Sequence, residues 1–528
     1  VRSNSTSSAP WIVRLFFGLL LALGLLVYRD YGVSTDEVVH HLNGMVNVKY
    51  IGQRLAPELA RHQASYASIP DLNGYVDNDH GVLFEAPVAV LSLLLTHHDS
   101  RSYYFMRHLL IFLTFVGGTW ALFQLGRLCF QDWRWALLGP LLLIASPRFF
   151  AEAFYNGMDI VFMAAFTLAM YTLVRMAQQP SFGRVILHGL ASAAAIDVRI
   201  VGLLTIGFTL GIVGLVLVQR TSSQLTAPRL APTAYTRAIL LYLAFTLLFM
   251  VLGWPYLWED PLGNFSMALA RMSRFPWMGR NFYFGQYLRG SEVPWHYVPV
   301  WIFITTPLPY TIAAIVGVFS CGLAFLRGKS RFIDLLLIGW VLVPLALIIA
   351  LHSSVYNGWR HLYFIYPALL LLAVHGIRTL RYLAVHRRAW RPVVLTIALT
   401  AGLEVGRTIV RMIQMHPHQQ VYFSVLPTRV AEAWFDRDYW GLSYRAGLEW
   451  ILAHDSTPLL VVTSPRPDLI YNNSLILPAA QRQRLRIVYP DQKHQYLLIH
   501  YAPQDSSLGR KIHTLYAGDL PILTIFRR

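Results

Sequence analysis

The sequence predicts a polytopic all-α membrane protein of about 11 transmembrane helices, followed by a small C-terminal α/β domain outside the membrane. Three observations lead there. Apolar runs of about 20 residues recur, each long enough to cross a hydrocarbon core of ~30 Å. Only 13% of the 528 residues are charged while 55% are hydrophobic, about half the charge a water-facing surface carries. Beyond about Met412 the long apolar runs give way to short strand-like ones. This balance excludes a cytosolic enzyme, a disordered chain and a disulfide-stapled secreted module.

The first apolar run, 11–28, follows Arg2 and Arg14 and lacks a small-x-small cleavage site, so it is expected to stay as an anchor. Further spans are expected to start near Tyr103, Trp135, Asp159, Val185, Ile200, Ala238, Pro299, Phe332, Leu362 and Pro392. The run 185–218 is too long for one span. It divides at Asp197, Val198 and Arg199, since charge at mid-bilayer is costly. The resulting domains are 1–412, with large outer loops at 29–102 and 254–298, and 413–528. Within the first loop, the apolar stretch 84–96 is too short to cross and is expected in the interface. The tail is expected to carry strands at 459–463, 484–489, 495–501 and 521–526 with a helix at 444–453.

The formal charge is +17, from 44 Lys and Arg against 27 Asp and Glu. In a soluble protein this would point to nucleic acid. Here the excess sits in short loops and reads as topology, with no nucleic-acid partner. Arg127/Arg134, Arg175/Arg184, Arg220/Arg229/Arg237, Arg327/Lys329/Arg331 and Arg378/Arg381/Arg387/Arg388/Arg391 fall in alternate loops. A cytoplasmic N-terminus places all five inside, in a plasma or inner membrane, and the C-terminal domain outside. The two cysteines, Cys129 and Cys321, lie far apart in sequence in or beside apolar segments, so no structural disulfide is expected.

Chemistry-bearing residues concentrate on the expected outer side. Asp36 and Glu37 follow the first span, and two adjacent carboxylates raise each other's pKa unless a cation or donors stabilise them. The bland reading is a helix N-terminus capped by Ser34 or Thr35, with both acids at the positive dipole end. The two readings are compatible. Further along the loop, Asp77, Asp79, His80 and Glu85 form either a solvated turn or a site for a sugar or a divalent ion. Four arginines fall at outer span ends against the positive-inside rule: Arg107, Arg148, Arg199 and Arg360. Each needs an ion pair, a lipid headgroup or an anionic ligand, and Arg suits phosphate through bidentate contacts. His40/His41, His97/His98 and His416/His418 lack metal-ligand spacing. No phosphate-binding P-loop or dinucleotide fingerprint is present. Carboxylate, clustered Arg and an aromatic belt together suit transfer from a lipid-linked phosphate donor.

Several stretches carry a resemblance: SPRFFAEAFYNGMD (146–159), WPYLWEDP (254–261), VPWHYVPVWIFITTP (293–307), YNGWRHLYFIYP (356–367), HPHQQVYF (416–423) and FDRDYWGLSYR (435–445). With the acidic pair Asp36-Glu37, their order resembles the GT-C fold membrane glycosyltransferases. The branch is the family 39-like one, with protein O-mannosyltransferases and lipid A aminoarabinose transferases, in its bacterial phospholipid-carrier-dependent subgroup. The resemblance implies inverting transfer of a sugar from a polyprenyl-phosphate donor to an acceptor hydroxyl on a glycan, lipid or protein. It implies Asp36 as base with Glu37 beside it. Arg199 and Arg360, then Arg148 and His361, would hold the donor phosphate. Asp77, Asp79, His80, Glu85 and Tyr356 would border acceptor or sugar. No cofactor is required by this reading, and Asp77, Asp79 and Glu85 leave a divalent metal open. Two alternatives stand beside it: a lipid-linked sugar transporter, which would spread buried charge along a path through the bilayer, and a non-catalytic envelope assembly protein working through its C-terminal domain.

Overall fold

Helices form where the apolar runs lie, but several are interrupted where proline or charge makes a continuous helix costly. The structure, a computed structural model, describes residues 10–63, 65–221, 232–273, 275, 277–500 and 508–528. Arg2, Arg229 and Tyr501 lie outside the described residues, as does the side chain of Arg220. Among the described residues eight helices are long and apolar enough to cross a membrane: Ser100–Phe130, Asp159–Gln178, Ile200–Val218, Pro232–Gly253, Leu308–Leu326, Phe332–Ala350, Arg360–His386 and Arg388–Gln414. A bent pair, Trp133–Ile144 and Pro147–Tyr155, passes the same length and hydropathy test only when taken together, and turns by 72° at Ser146-Pro147.

The expected count of about 11 is therefore not reached by this measure. Trp11–Val27 and Phe182–Val198 are each 17 residues long, about 26 Å of helix at 1.5 Å per residue. The run near Pro299 is two helices, Tyr297–Thr305 and Leu308–Leu326, because Pro307 pushes Thr306 out of the helical region (φ −91°, ψ 137°). The division at Asp197–Arg199 is found. Phe182–Val198 ends there, Arg199 is extended (φ −149°, ψ 132°), and a 3₁₀ turn leads into the next helix.

Asp159–Gln178 is the central helix, packed between Ser100–Phe130 and Phe182–Val198. Aromatic rings fill the space around it: Phe149 stacks on Tyr366 (3.9 Å), Phe112 on Phe154 (4.9 Å), and Phe166 meets Phe364 (4.7 Å). Each such pair contributes about 0.5–1.5 kcal/mol beyond its buried area. Helix Arg391–Gln414 is almost wholly uncovered, as an apolar helix facing lipid would be.

The first loop contains an element the apolar pattern concealed, the 19-residue helix Glu37–Leu55. Its Gly44 lets the Glu85–Leu95 helix approach, so that an added Cβ would meet Ala89 at 3.1 Å. The second loop forms a hairpin of β1 (Arg280–Tyr283) and β2 (Gln286–Arg289).

The tail carries a five-stranded sheet from β3 (Leu460–Thr463), β4 (Leu485–Ile487), β5 (Tyr496–Ile499), β6 (Arg510–Ala517) and β7 (Leu520–Arg527), in the order β4-β3-β5-β7-β6. β3 pairs parallel to β4 and β5; β7 pairs antiparallel to β5 and β6. Helix Ser443–His454 covers one face, burying Tyr444, Leu448 and Ile451 with Leu498, Leu523 and Ile525. Strand β6 lies at the sheet edge with little of it buried, which is why its hydropathy gave no strand signal.

Candidate active site

The segment before Asp36 is held in place by the tail. Asn473 exchanges hydrogen bonds with Val33 across 440 residues: Val33 N–H donates to Oδ1 (3.0 Å), and Nδ2 donates to the Val33 carbonyl (3.1 Å). Arg445 Nη1 donates to the carbonyls of Arg29 (2.6 Å) and Tyr31 (2.7 Å), and Thr35 N–H donates to the Trp440 carbonyl (3.1 Å). Asp36 then sits at the N-terminus of Glu37–Leu55, where the helix dipole favours an anion. The expected Ser34 or Thr35 side-chain cap is not what closes this turn. Glu37 Oε2 instead reaches back to accept from Ser34 N–H (2.7 Å).

Four charged side chains from separate elements form a chain. Arg360 Nη1 lies 2.7 Å from Asp36 Oδ2 and 3.7 Å from Asp159 Oδ2, and Arg199 pairs with the other oxygen of Asp159. Asp159 starts its helix, and Asn156 clamps it by accepting from its N–H (2.8 Å) and donating to its carboxylate (3.1 Å). The same Asn156 amide donates to Glu152 (2.7 Å). Arg360 is only 8% exposed and lies over the rings of Tyr356 (5.1 Å) and Trp440 (4.7 Å). Its Nε is buried with no hydrogen-bond partner among the described residues. Asp36 remains 32% and Arg199 20% exposed, so both ends of the chain are reachable. Burial works to raise the Asp36 carboxyl, but Arg360, His40 and Arg199 outweigh it and hold it below the usual carboxylate range.

Glu37 does not join this group. Its carboxylate is fully buried, 3.5 Å from Arg107 Nε and 3.2 Å from His108 Nε2. Glu85 is paired with the same Arg107 (Nη1–Oε2 2.5 Å, Nη2–Oε1 2.9 Å). Arg107 thus serves two expected site carboxylates as a brace that ties the first loop to Ser100–Phe130. Replacing it with Met would take from both carboxylates the guanidinium they share, leaving Glu37 with His108 and the Ser34 N–H and Glu85 with His40. Unfolding in detergent should then show a loss of about 3–5 kcal/mol, whereas a stability like that of the unmodified protein would contradict the brace.

The other expected residues are distributed around these two groups. Asp79 lies 3.3 Å from His80 Nδ1 and 3.5 Å from Arg271 Nη1 of the second loop, so burial's upward push is outweighed and its carboxyl is held low. Asp77 is half-buried and its charge acts on the Tyr75 hydroxyl. His40 stands between the groups, 3.8 Å from Glu85 and under the fields of Asp36 and His80; burial pushes it below its ordinary range. Tyr356 stacks on Trp277 (4.3 Å, 7°) and meets the edge of His361 (4.5 Å).

Arg148 lies apart from the four chained residues. Its Nε donates to the Tyr422 carbonyl (3.1 Å), and its guanidinium lies over Trp301 and Phe423, while its Nη2 is buried with no hydrogen-bond partner among the described residues. A cavity of about 1730 Å³ opens among Leu308–Leu326, Tyr366–His386 and Arg391–Gln414, and it includes none of the four chained residues.

Sequence reading missed Asp159, which it took only as the start of a span, and Trp440 and Trp277. A signal for Asp159 existed: an acid opening an apolar helix, just after the turn residues Asn156-Gly157.

Among solved structures, the chain is similar to ArnT from Cupriavidus metallidurans in the apo state (12% identity, 97% of this chain and 98% of that one, TM-score 0.48). It is also similar to the same protein bound to undecaprenyl phosphate (14%, 98% of each, 0.47) and to the Archaeoglobus fulgidus oligosaccharyltransferase (11%, 93% and 71%, 0.44). No family model and no curated protein matches. Identities of 11–14% assign no residue of this chain a role.

Proposed function

We propose that the protein is an inverting membrane glycosyltransferase that moves a sugar from a polyprenyl-phosphate donor to an acceptor hydroxyl at the outer membrane face. The observation that carries this reading is the Asp36–Arg360–Asp159–Arg199 chain: a reachable carboxylate in direct contact with a buried guanidinium, backed by a second one. Two arginines among apolar helices at the ends of spans form a receptor for the phosphate of a lipid whose tail stays in the bilayer.

In the free protein Asp36 is a weak base because Arg360 neutralises it. A donor phosphate bound by Arg360 and Arg199 competes for that positive charge and restores the basicity of Asp36 where the acceptor arrives. Asp36 then removes the acceptor hydroxyl proton. The hydroxyl oxygen bonds to the sugar C1 from the face opposite the phosphate, the C1–O(phosphate) bond breaks, and its electron pair leaves on the polyprenyl phosphate. Arg360 and Arg199 stabilise the charge that develops there. No general acid is needed, since phosphate is already a good leaving group. Tyr356, Trp277 and Trp440 offer aromatic faces beside the reacting atoms.

A pH consequence follows from the sign of the Asp36 shift. A carboxyl held low in the folded state contributes stability that is full above its unfolded value of about 3.9 and is lost as pH falls through the lower folded value. The free enzyme's base is ionised throughout the neutral range, so kcat/KM should be flat down to about pH 5 and fall only below about pH 4. An acid limb near neutrality would assign the base elsewhere.

The reading is tested by offering the purified protein a set of radiolabelled polyprenyl-phosphate sugars with a membrane extract. Label passing from one donor to a defined acceptor supports it. Transfer from a sugar nucleotide alone would overturn it.

A further inference from the structure

The chain has only two cysteines, and the fold brings both to one place, at the end of the bundle away from Asp36. Cys129 is 22 residues beyond Arg107 on the same helix, about 33 Å along its axis. Arg331 Nη1 donates to the Cys129 carbonyl (2.8 Å) while the guanidinium grips Asp334 (Nη2–Oδ1 2.7 Å, Nε–Oδ2 3.1 Å). Asp334 in turn belongs to a cluster with Cys321 and His375, whose donor atoms all lie within 4.8 Å of one another.

We propose that Cys321, Asp334 and His375 bind a divalent transition-metal ion of the zinc class, locking three helices together. The ligands are a thiol, a carboxylate and an imidazole, one each from Leu308–Leu326, Phe332–Ala350 and Tyr366–His386. That set suits a borderline-soft tetrahedral ion, leaving a fourth position open, and the donor atoms need to close by only about 1 Å per pair to reach its ligand spacing.

Three further features fit. First, Gly317 and Gly376 let two of these helices touch backbone to backbone: a Cβ on Gly317 would lie 3.2 Å from the Gly376 nitrogen. Cys321 is one turn beyond the first glycine and His375 is adjacent to the second, so the crossing sets thiol against imidazole. Second, the buried Nδ1 of His375 has no hydrogen-bond partner among the described residues, so the imidazole is not committed through that nitrogen to another buried group. Third, Arg331 orients the Asp334 carboxylate from outside, as partners of ligating carboxylates do, and its side chain is 44% exposed, giving the site an edge on water. The Arg331–Asp334 helix cap accounts for Asp334 alone, and leaves Cys321 and His375 unexplained. Binding would release one proton from Cys321 to solvent, and the ion's two charges match thiolate plus carboxylate. The site is independent of the proposed sugar transfer.

The test uses the full chain in detergent, stripped with chelator and titrated with Co²⁺ alone. One equivalent should bind with a thiolate-to-cobalt charge-transfer band, and Zn²⁺ should displace it. Cys321→Ser should abolish the band, Cys129→Ser should retain it, and His375→Ala should weaken binding about 10-fold or more. Asp334→Asn, which keeps the thiol and the side-chain shape, covers the case that Cys321→Ser misfolds: it should keep the band but bind at least about 10-fold more weakly. No band in the unmodified protein, a band that survives Cys321→Ser, or unchanged affinity in Asp334→Asn would each overturn the proposal.

Discussion

With Asp36→Asn, turnover should fall by about 10²–10⁴-fold, the usual loss when a positioned base is removed, while the polyprenyl-phosphate carrier binds at least as tightly as before. The two effects have one cause. Asn keeps the side-chain shape at the start of Glu37–Leu55 but can neither accept the hydroxyl proton nor compete for the Arg360 guanidinium 2.7 Å away. A phosphate arriving at Arg360 then displaces no carboxylate. Single-turnover measurement with labelled donor, next to equilibrium binding of the carrier, separates the two. Turnover near the unmodified rate would remove the proposed base.

Arg360→Met should be the most damaging single change at the site, in both stability and binding. The guanidinium is the shared partner of Asp36 and Asp159 and fills the space between Tyr356 and Trp440. Its loss leaves Asp159 buried with Arg199 as its remaining cation, and breaking a buried pair costs about 3–5 kcal/mol. Carrier affinity should fall as well, because a charged donor bond to phosphate is gone. Arg360→Lys keeps the charge but not the fork, so it should recover stability more fully than carrier affinity. Thermal unfolding and carrier binding on both variants check this. Equal recovery of the two properties would show that Arg360 acts only as a structural ion.

The apolar runs made most of the helices legible, because lipid demands length and low charge from any segment that crosses it. They did not reveal where a run breaks. Thr306-Pro307 divides one apolar run and Ser146-Pro147 bends another by 72°, both through local backbone chemistry that hydropathy averages away. Asp36, Arg199 and Arg360 were legible as candidates because charge at span ends stands out against apolar surroundings. Their assembly was not, since it depends on Asp159, an acid that looked like an ordinary helix start. Glu37 and Glu85 were read with the site, yet three-dimensional packing gives both to Arg107. The hold of Asn473 and Arg445 on residues 29–33 spans more than 400 positions, and no periodicity encodes such a contact.

Carrier affinity, measured across three proteins, tests the electrostatic exchange at Arg360 most directly: the unmodified chain, Asp36→Asn and Arg199→Met, each titrated with polyprenyl phosphate. The account predicts equal or tighter binding in Asp36→Asn and binding weakened by about 10-fold or more in Arg199→Met. Weaker binding in Asp36→Asn, or no change in Arg199→Met, would contradict it.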